Sequence, residues 1–223
     1  MTNLIEKLQN GERLDADECA GLYGLDLFTL GKFANSKRRK LHGKKVFFNV
    51  NRHINPTNIC ADVCKFCAFS ANRKNPNPYT MSHEEILKIV EKSVAGGAKE
   101  IHIVSAHNPD TSWQWYLEIF KKIKEKYPQI HVKALTAAEV DFLSRKHGLS
   151  YEEVVEKMLE YGVDSMPGGG AEIFDEEVRR KICKGKVSSE NWLKIHRLWH
   201  EKGKESNATM LFGHVESRQN RID

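Results

Sequence analysis

No stretch of this sequence approaches the roughly 20 consecutive apolar residues that a bilayer-spanning helix needs. The opening residues, M-T-N-L-I-E-K-L-Q-N, also lack the apolar core of a signal peptide. The expected location is therefore the cytoplasm. An excess of one charge is missing too: 35 Lys+Arg stand against 30 Asp+Glu, a formal net charge of +5 in 223 residues. The basic residues cluster only at Lys37-Arg38-Arg39-Lys40 and Lys44-Lys45. A basic run before a turn reads as a solvated helix end rather than a nucleic-acid surface. Cysteine is sparse and odd in number. With five cysteines, three of them clustered, the chain has no disulfide framework to offer and points to a reducing compartment. Gly168-Gly169-Gly170 is not followed by Lys-Ser/Thr, which excludes a phosphate-binding P-loop. Neither His53 nor His83 stands at the C-x2-C…H-x3-H interval of a common zinc site.

What is present is organised around Pro56 to Ser70, P-T-N-I-C-A-D-V-C-K-F-C-A-F-S. Cys60, Cys64 and Cys67 at C-x3-C-x2-C spacing bring three thiolates from one short loop to a single centre, one ligand short of a closed site. That leaves a coordination position open for chemistry. Zinc on the three thiols plus an outside ligand, in a metal-binding interaction module, is the non-enzymatic alternative. Cys19 and Cys183, each within a helical pattern, read as packing thiols.

Residues 2–42 read as a helical lead-in, with Asp15 as an N-cap and Gly43 as a terminator, ahead of a core over residues 43–223. Strands are expected at 46–50, 101–104, 130–135, 163–166 and 208–212. Helices are expected from the Ser82/Glu85 capping box to Gly96, and over 113–126, 139–146, 151–161, 175–182 and 188–201. Alternating strands and helices predict an α/β fold with a parallel sheet covered by helices, of a size that suits one large core. The patterns themselves do not separate a barrel from an open sheet.

Ligands of such folds collect beyond the carboxyl ends of the strands. The candidates there are Arg52, His53, Asn55 and Asn58 after the first strand and Ser105 after the second. Glu139 follows the third, where it reads equally as a first-turn helix carboxylate. Glu172, behind three glycines, follows the fourth and is expected to accept hydrogen bonds from ribose hydroxyls. Gly213, His214 and Glu216 follow the fifth.

The cysteine spacing, with Phe66 just before Cys67, resembles the signature of the radical S-adenosylmethionine (SAM) enzymes. The resemblance implies a [4Fe-4S] cluster on Cys60, Cys64 and Cys67, its fourth iron chelated by the amino and carboxylate groups of SAM, with Phe66 beside the cluster. It further implies a partial (β/α)6 TIM-like barrel with the cluster loop after its first strand. Only five strands are visible, so a chain truncated after the fifth strand is expected. Ser105 falls where the family often carries glycines that bind the methionine amino group, and this chain lacks them. Thr209 to Glu216 resembles the family's G-x-I-x-G-x-x-E segment near adenine, which casts Gly213 and Glu216 as cofactor-binding.

Four longer phrases, Phe48 to Cys60, Cys67 to Ala71, Met166 to Ile173 and Ser206 to Glu216, together resemble the aminofutalosine synthase family of the futalosine route to menaquinone. The likeness covers nearly the whole chain but not that family's C-terminal third. Dehypoxanthine futalosine cyclases and the radical enzymes that build the F420 deazaflavin share several of these phrases. For the synthase family the implied reaction adds a 5′-deoxyadenosyl radical to 3-[(1-carboxyvinyl)oxy]benzoate. It yields 6-amino-6-deoxyfutalosine with loss of bicarbonate or CO2, and it draws its electron from a donor such as flavodoxin or ferredoxin. Arg52, His53, Asn55, Glu139 and His214 are the substrate candidates, and no acid, base or nucleophile is assigned.

Overall fold

Helices in the computed structural model, which describes residues 2–71 and 76–223, begin where side-chain caps place them. The chain divides into two compact units, Met1–Phe48 with Phe212–Asp223 and Asn49–Leu211. In the smaller unit the lead-in is three helices, α1 (Thr2–Asn10), α2 (Ala16–Leu22) and α3 (Leu27–His42). Asp15 caps α2 through a reciprocal box with Glu18, as its position before Ala16 predicts. Gly43, at φ 60°, ends α3 by donating its N–H to Arg39 O at 2.8 Å.

The larger unit runs β1 (Asn51–Ile54), β2 (Val63–Cys64), α4 (His83–Ala95), β3 (Glu100–Ile103), α5 (Trp113–Lys126), β4 (His131–Ala134), α6 (Ala137–His147), α7 (Tyr151–Glu160), α8 (Glu176–Ile182), β5 (Cys183–Lys184) and α9 (Ser189–Glu201). Strands β1, β3 and β4 form a parallel sheet in that order, with Ile54, Ile103 and Ala134 in one register row. Single parallel bridges, Lys133 to Ser165 and Met166 to Ser206, continue the order outward. Spatial order thus follows chain order, as in a (β/α) barrel wall.

Three expected strands are corrected, of which the fourth, over 163–166, is reduced to the isolated bridges at Ser165 and Met166. The first begins at Asn51, not Val46: Val46, Phe47 and Phe48 are 83, 72 and 87 % exposed and lie in the smaller unit. An apolar run forms a strand only where a neighbour takes its backbone bonds, and β3 pairs with residues 51–54 instead. The fifth is not a strand over 208–212. Its pairing is confined to Ser206, flanked by Met166 N to Glu205 O at 3.3 Å and Asn207 N to Met166 O at 3.2 Å. Cys183, too, lies in β5 just past α8 rather than inside a helix.

One continuous core fills the space between sheet and helices. Ile101, Ile103 and Val132 pack with Ile86 and Val90 of α4, Phe120 and Ile123 of α5, Val140 of α6, Met158 of α7 and Trp199 of α9. Each such side chain contributes roughly 1.5–3 kcal/mol on burial. The stripe expected on α9 is core as well, because Trp192, Ile195 and Trp199 are buried. Ser82, Ser112, Thr136 and Ser150 cap α4 to α7.

A thiol-lined cavity at the strand ends

The loop leaving β1 is fastened by its own polar side chains. Asn55 Nδ2 donates to Val104 O (2.9 Å) and Thr57 Oγ1 to Tyr79 O (2.8 Å). Asn58 donates to Asn77 O (3.0 Å) and accepts from Tyr79 N (2.8 Å). Asn108, beyond β3, donates to Thr57 Oγ1 at 3.0 Å. So held, Cys60, Cys64 and Cys67 line one cavity of about 140 Å³ together with Asn55, Asp62, Phe66, Ser105, His107 and Lys186. All three thiols are free and partly buried.

The β3 loop clamps the cysteine loop. His107 N donates to Cys60 Sγ at 3.4 Å, and Ala61 N donates to His107 O at 2.9 Å. The His107 imidazole lies 2.8 Å from the Asp62 carboxylate, close enough to pair but not aligned as a hydrogen bond. Burial pushes the Cys64 thiol up to about 12, with Cys183, Asp62 and Cys60 adding and Lys186 opposing, and burial raises Cys60 as well. A metal bound by these thiols would displace their protons.

Lys186 supplies the positive charge of the cavity. Its Nζ lies 2.9 Å from Glu172 Oε1, with both side chains largely buried, and 5.8 Å above the Phe66 ring. Burial works against the ammonium, but the Glu172 carboxylate outweighs it and holds the lysine above its ordinary pKa. The glycine run behind this pair serves packing. A Cβ on Gly168 would stand 2.5 Å from Asn207 O, and one on Gly169 2.9 Å from Thr136 Cγ2.

Of the residues expected from sequence, the cavity gathers Asn55, Cys60, Cys64, Phe66, Cys67 and Ser105. His53 stands beside it, its Nε2 3.2 Å from Asn55 Nδ2, and Arg52 is exposed on β1. Glu139, a substrate candidate from sequence, sits as a first-turn helix carboxylate in a capping box with Thr136. Its buried carboxylate is filled by Thr136 N, Thr136 Oγ1 and Ser105 N at 2.7–2.8 Å, so it fixes the Ser105 loop from behind. Burial raises its pKa against those bonds. Glu172 reaches the cavity only through Lys186. Lys186, Asp62 and His107 escaped the sequence reading, because nothing in their spacing marks them.

Gly213, His214 and Glu216 lie in the smaller unit. Glu216 accepts from Gly213 N (2.6 Å), His214 N (2.9 Å) and Arg221 Nε (2.8 Å), and these bonds hold its carboxyl at about 2. The folded value is depressed, so its contribution to the turn is present above the ordinary carboxylate range and is lost as pH falls through the folded value. A carbon-detected NMR titration should find Glu216 still ionised at pH 3. A midpoint near 4.5 would break the turn assignment.

The donor set suits an iron-sulfur cluster: three soft thiols around a shared cavity, with a basic residue facing them and room left for one more ligand. Among the described residues no three His, Cys, Asp or Glu side chains are placed to hold a single ion.

A family model, the radical SAM superfamily, matches residues 54–223. The chain is 42 % identical over 221 residues to an aminodeoxyfutalosine synthase of Thermus thermophilus, covering 99 % of this chain and 59 % of that protein. It is 36 % identical over 217 residues to a 5-amino-6-(D-ribitylamino)uracil–L-tyrosine 4-hydroxyphenyl transferase of Methanopyrus kandleri, covering 97 % and 58 %. The chain therefore spans just under three-fifths of the length of these relatives. Among solved structures it superposes on the hydrogenase maturase HydG of Carboxydothermus hydrogenoformans with a TM-score of 0.72 at 19 % identity, covering 98 % of this chain and 49 % of that one. That likeness speaks to fold.

Proposed function

We propose, from the premise that this chain belongs to the radical SAM superfamily, that it carries out the aminodeoxyfutalosine synthase reaction in the cytoplasm, joining the adenosyl group of SAM to 3-[(1-carboxyvinyl)oxy]benzoate. The observation that carries the reading is the convergence of Cys60, Cys64 and Cys67 on one cavity faced by Lys186. When bound, a [4Fe-4S] cluster and SAM supply the electron and the adenosyl group, with a small reduced carrier such as flavodoxin or ferredoxin as electron source. The remaining tasks are the chain's own.

Cys60, Cys64 and Cys67 would hold three irons. Lys186 would offer its ammonium to the SAM carboxylate, with Glu172 fixing the lysine and Phe66 covering it. Ser105 and Asn55 form the polar wall. Higher identity to the synthase than to the transferase supports the choice of reaction. The transferase-like and cyclase-like alternatives predict free 5′-deoxyadenosine, whereas the synthase predicts an adenosyl adduct with loss of one carboxyl carbon. Mass analysis of an anaerobic turnover decides between them, and free 5′-deoxyadenosine alone would remove the synthase reading.

Charge-assisted hydrogen bonds are worth roughly 1.5–3 kcal/mol. Lys186→Met should therefore weaken SAM binding about ten-fold or more with iron content unchanged. Glu172→Gln, which leaves Lys186 without its counter-charge, should weaken it less. Calorimetry on the reconstituted protein checks both. Unaltered affinity in Lys186→Met would move the carboxylate contact elsewhere.

A further inference from the structure

The hydrophobic core accounts for one face of the β1-β3-β4 sheet. Ile54, Ile101, Ile103, Val132 and Ala134 turn toward the helices. Alternate positions fall on the opposite face, and the register sets His53, His102 and Lys133 side by side across the three strands. Two residues nearer the strand N-termini, the next row is satisfied within itself. Asn51 Nδ2 donates to Glu100 Oε1 at 3.1 Å, and His131 Nε2 lies 2.7 Å from Ser165 Oγ.

The upper row is not satisfied. His102 Nε2 is buried without a hydrogen-bond partner. The Lys133 ammonium has neither ion-pair nor hydrogen-bond partner among the described residues. The His53 and His102 rings stack face to face, centroids 4.7 Å apart and planes 12° from parallel. Burial, with His53 and Lys133 adding and Glu100 opposing, brings His102 down to about 4. A buried imidazole nitrogen on His102 and a lone ammonium on Lys133, set at one level, lack the acceptor that would satisfy them. The row also adjoins the thiol cavity, because His53 lies 3.2 Å from Asn55, which lines it.

We propose that His53, His102 and Lys133 form the subsite that receives a carboxylate of the acceptor, an aryl carboxylic acid held flat against the imidazoles with its reactive end toward the thiol cavity. The proposal rests on the synthase reading only for the identity of the acceptor.

Isophthalate, a planar aryl dicarboxylate, is the probe. Calorimetry with the whole chain, anaerobically reconstituted, should show saturable binding, weakened about ten-fold or more in Lys133→Met. Lys133→Arg should recover most of it, with iron content and SAM affinity constant throughout. Should Lys133→Met lose its cooperative melt, His102→Gln takes its place with the same expectation. No saturable binding to the unsubstituted chain, or equal affinity in the variant that folds, overturns the proposal. The two readings fail separately. Lys133-dependent isophthalate binding without an adenosyl adduct removes the synthase reading and leaves the subsite. An adduct formed by a chain whose Lys133→Met variant binds isophthalate normally does the reverse.

Discussion

Alanine in place of Cys64 is expected to abolish the iron-sulfur absorption of the anaerobically reconstituted protein, and alanine in place of Cys183 to leave it intact. The contrast is sharp because the two residues face each other. Cys64 of β2 stands directly across from Cys183 of β5, and Lys65 N to Ile182 O at 2.8 Å marks the adjoining hydrogen-bonded pair. Theirs is thus the closer, non-hydrogen-bonded position. What separates them is their surroundings. Cys64 lines the cavity with Cys60 and Cys67, whereas Cys183 is 2 % exposed among Ile173, Val178 and Ile182. With three protein ligands, loss of one removes a third of the protein's hold on a cluster, and Cys60→Ala and Cys67→Ala should behave alike. Absorbance, Mössbauer spectra and iron content measure it and also separate iron from zinc. A normal cluster in Cys64→Ala, or its loss in Cys183→Ala, would reassign the ligands.

Features set by neighbours in sequence were legible. Asp15 before Ala16 and Ser82 before Glu85 gave helix starts from cap chemistry, and α5 matches its apolar spacing over 113–126. The three cysteines are legible for the same reason, since one short loop carries them. Features set by distant pairing were not. The two-residue β2 and β5 are too short to show a period. Val46 to Phe48 has strand composition but no strand partner. Glu139 looked like a carboxylate at the mouth of the fold, and only the structure shows its oxygens filled by Thr136 and Ser105. The row of His53, His102 and Lys133 needs the register of three strands, which no single strand encodes.

Arg179 is hidden in the same way and carries the largest expected stability effect. In sequence it is one of several basic residues on a short helix, yet it is 3 % exposed. Its Nη1 donates to Ala171 O and to Ile173 O (3.1 Å), and its Nη2 donates to Gly170 O (3.0 Å) and Val187 O. One planar fork thus ties the segment holding Glu172 to the segment holding Lys186. Only arginine offers that many donors in a fixed plane, so lysine should not rescue it. Arg179→Met keeps the apolar stem and strands four carbonyls. Removing one partner of a buried charged network costs roughly 3–5 kcal/mol, against a total stability of about 5–15 kcal/mol for a domain. At about 2–4 °C per kcal/mol for a chain of this size, the melting temperature should fall by roughly 10 °C. SAM affinity should fall with it, because Lys186 and Glu172 lose their shared anchor. Cys60, Cys64 and Cys67 all remain on the loop leaving β1, with Cys60 still clamped by His107 N, so iron should still be taken up. A melting temperature within about 2 °C of the parent would mean that the carbonyls find other donors, and that the fork does not hold the two segments together.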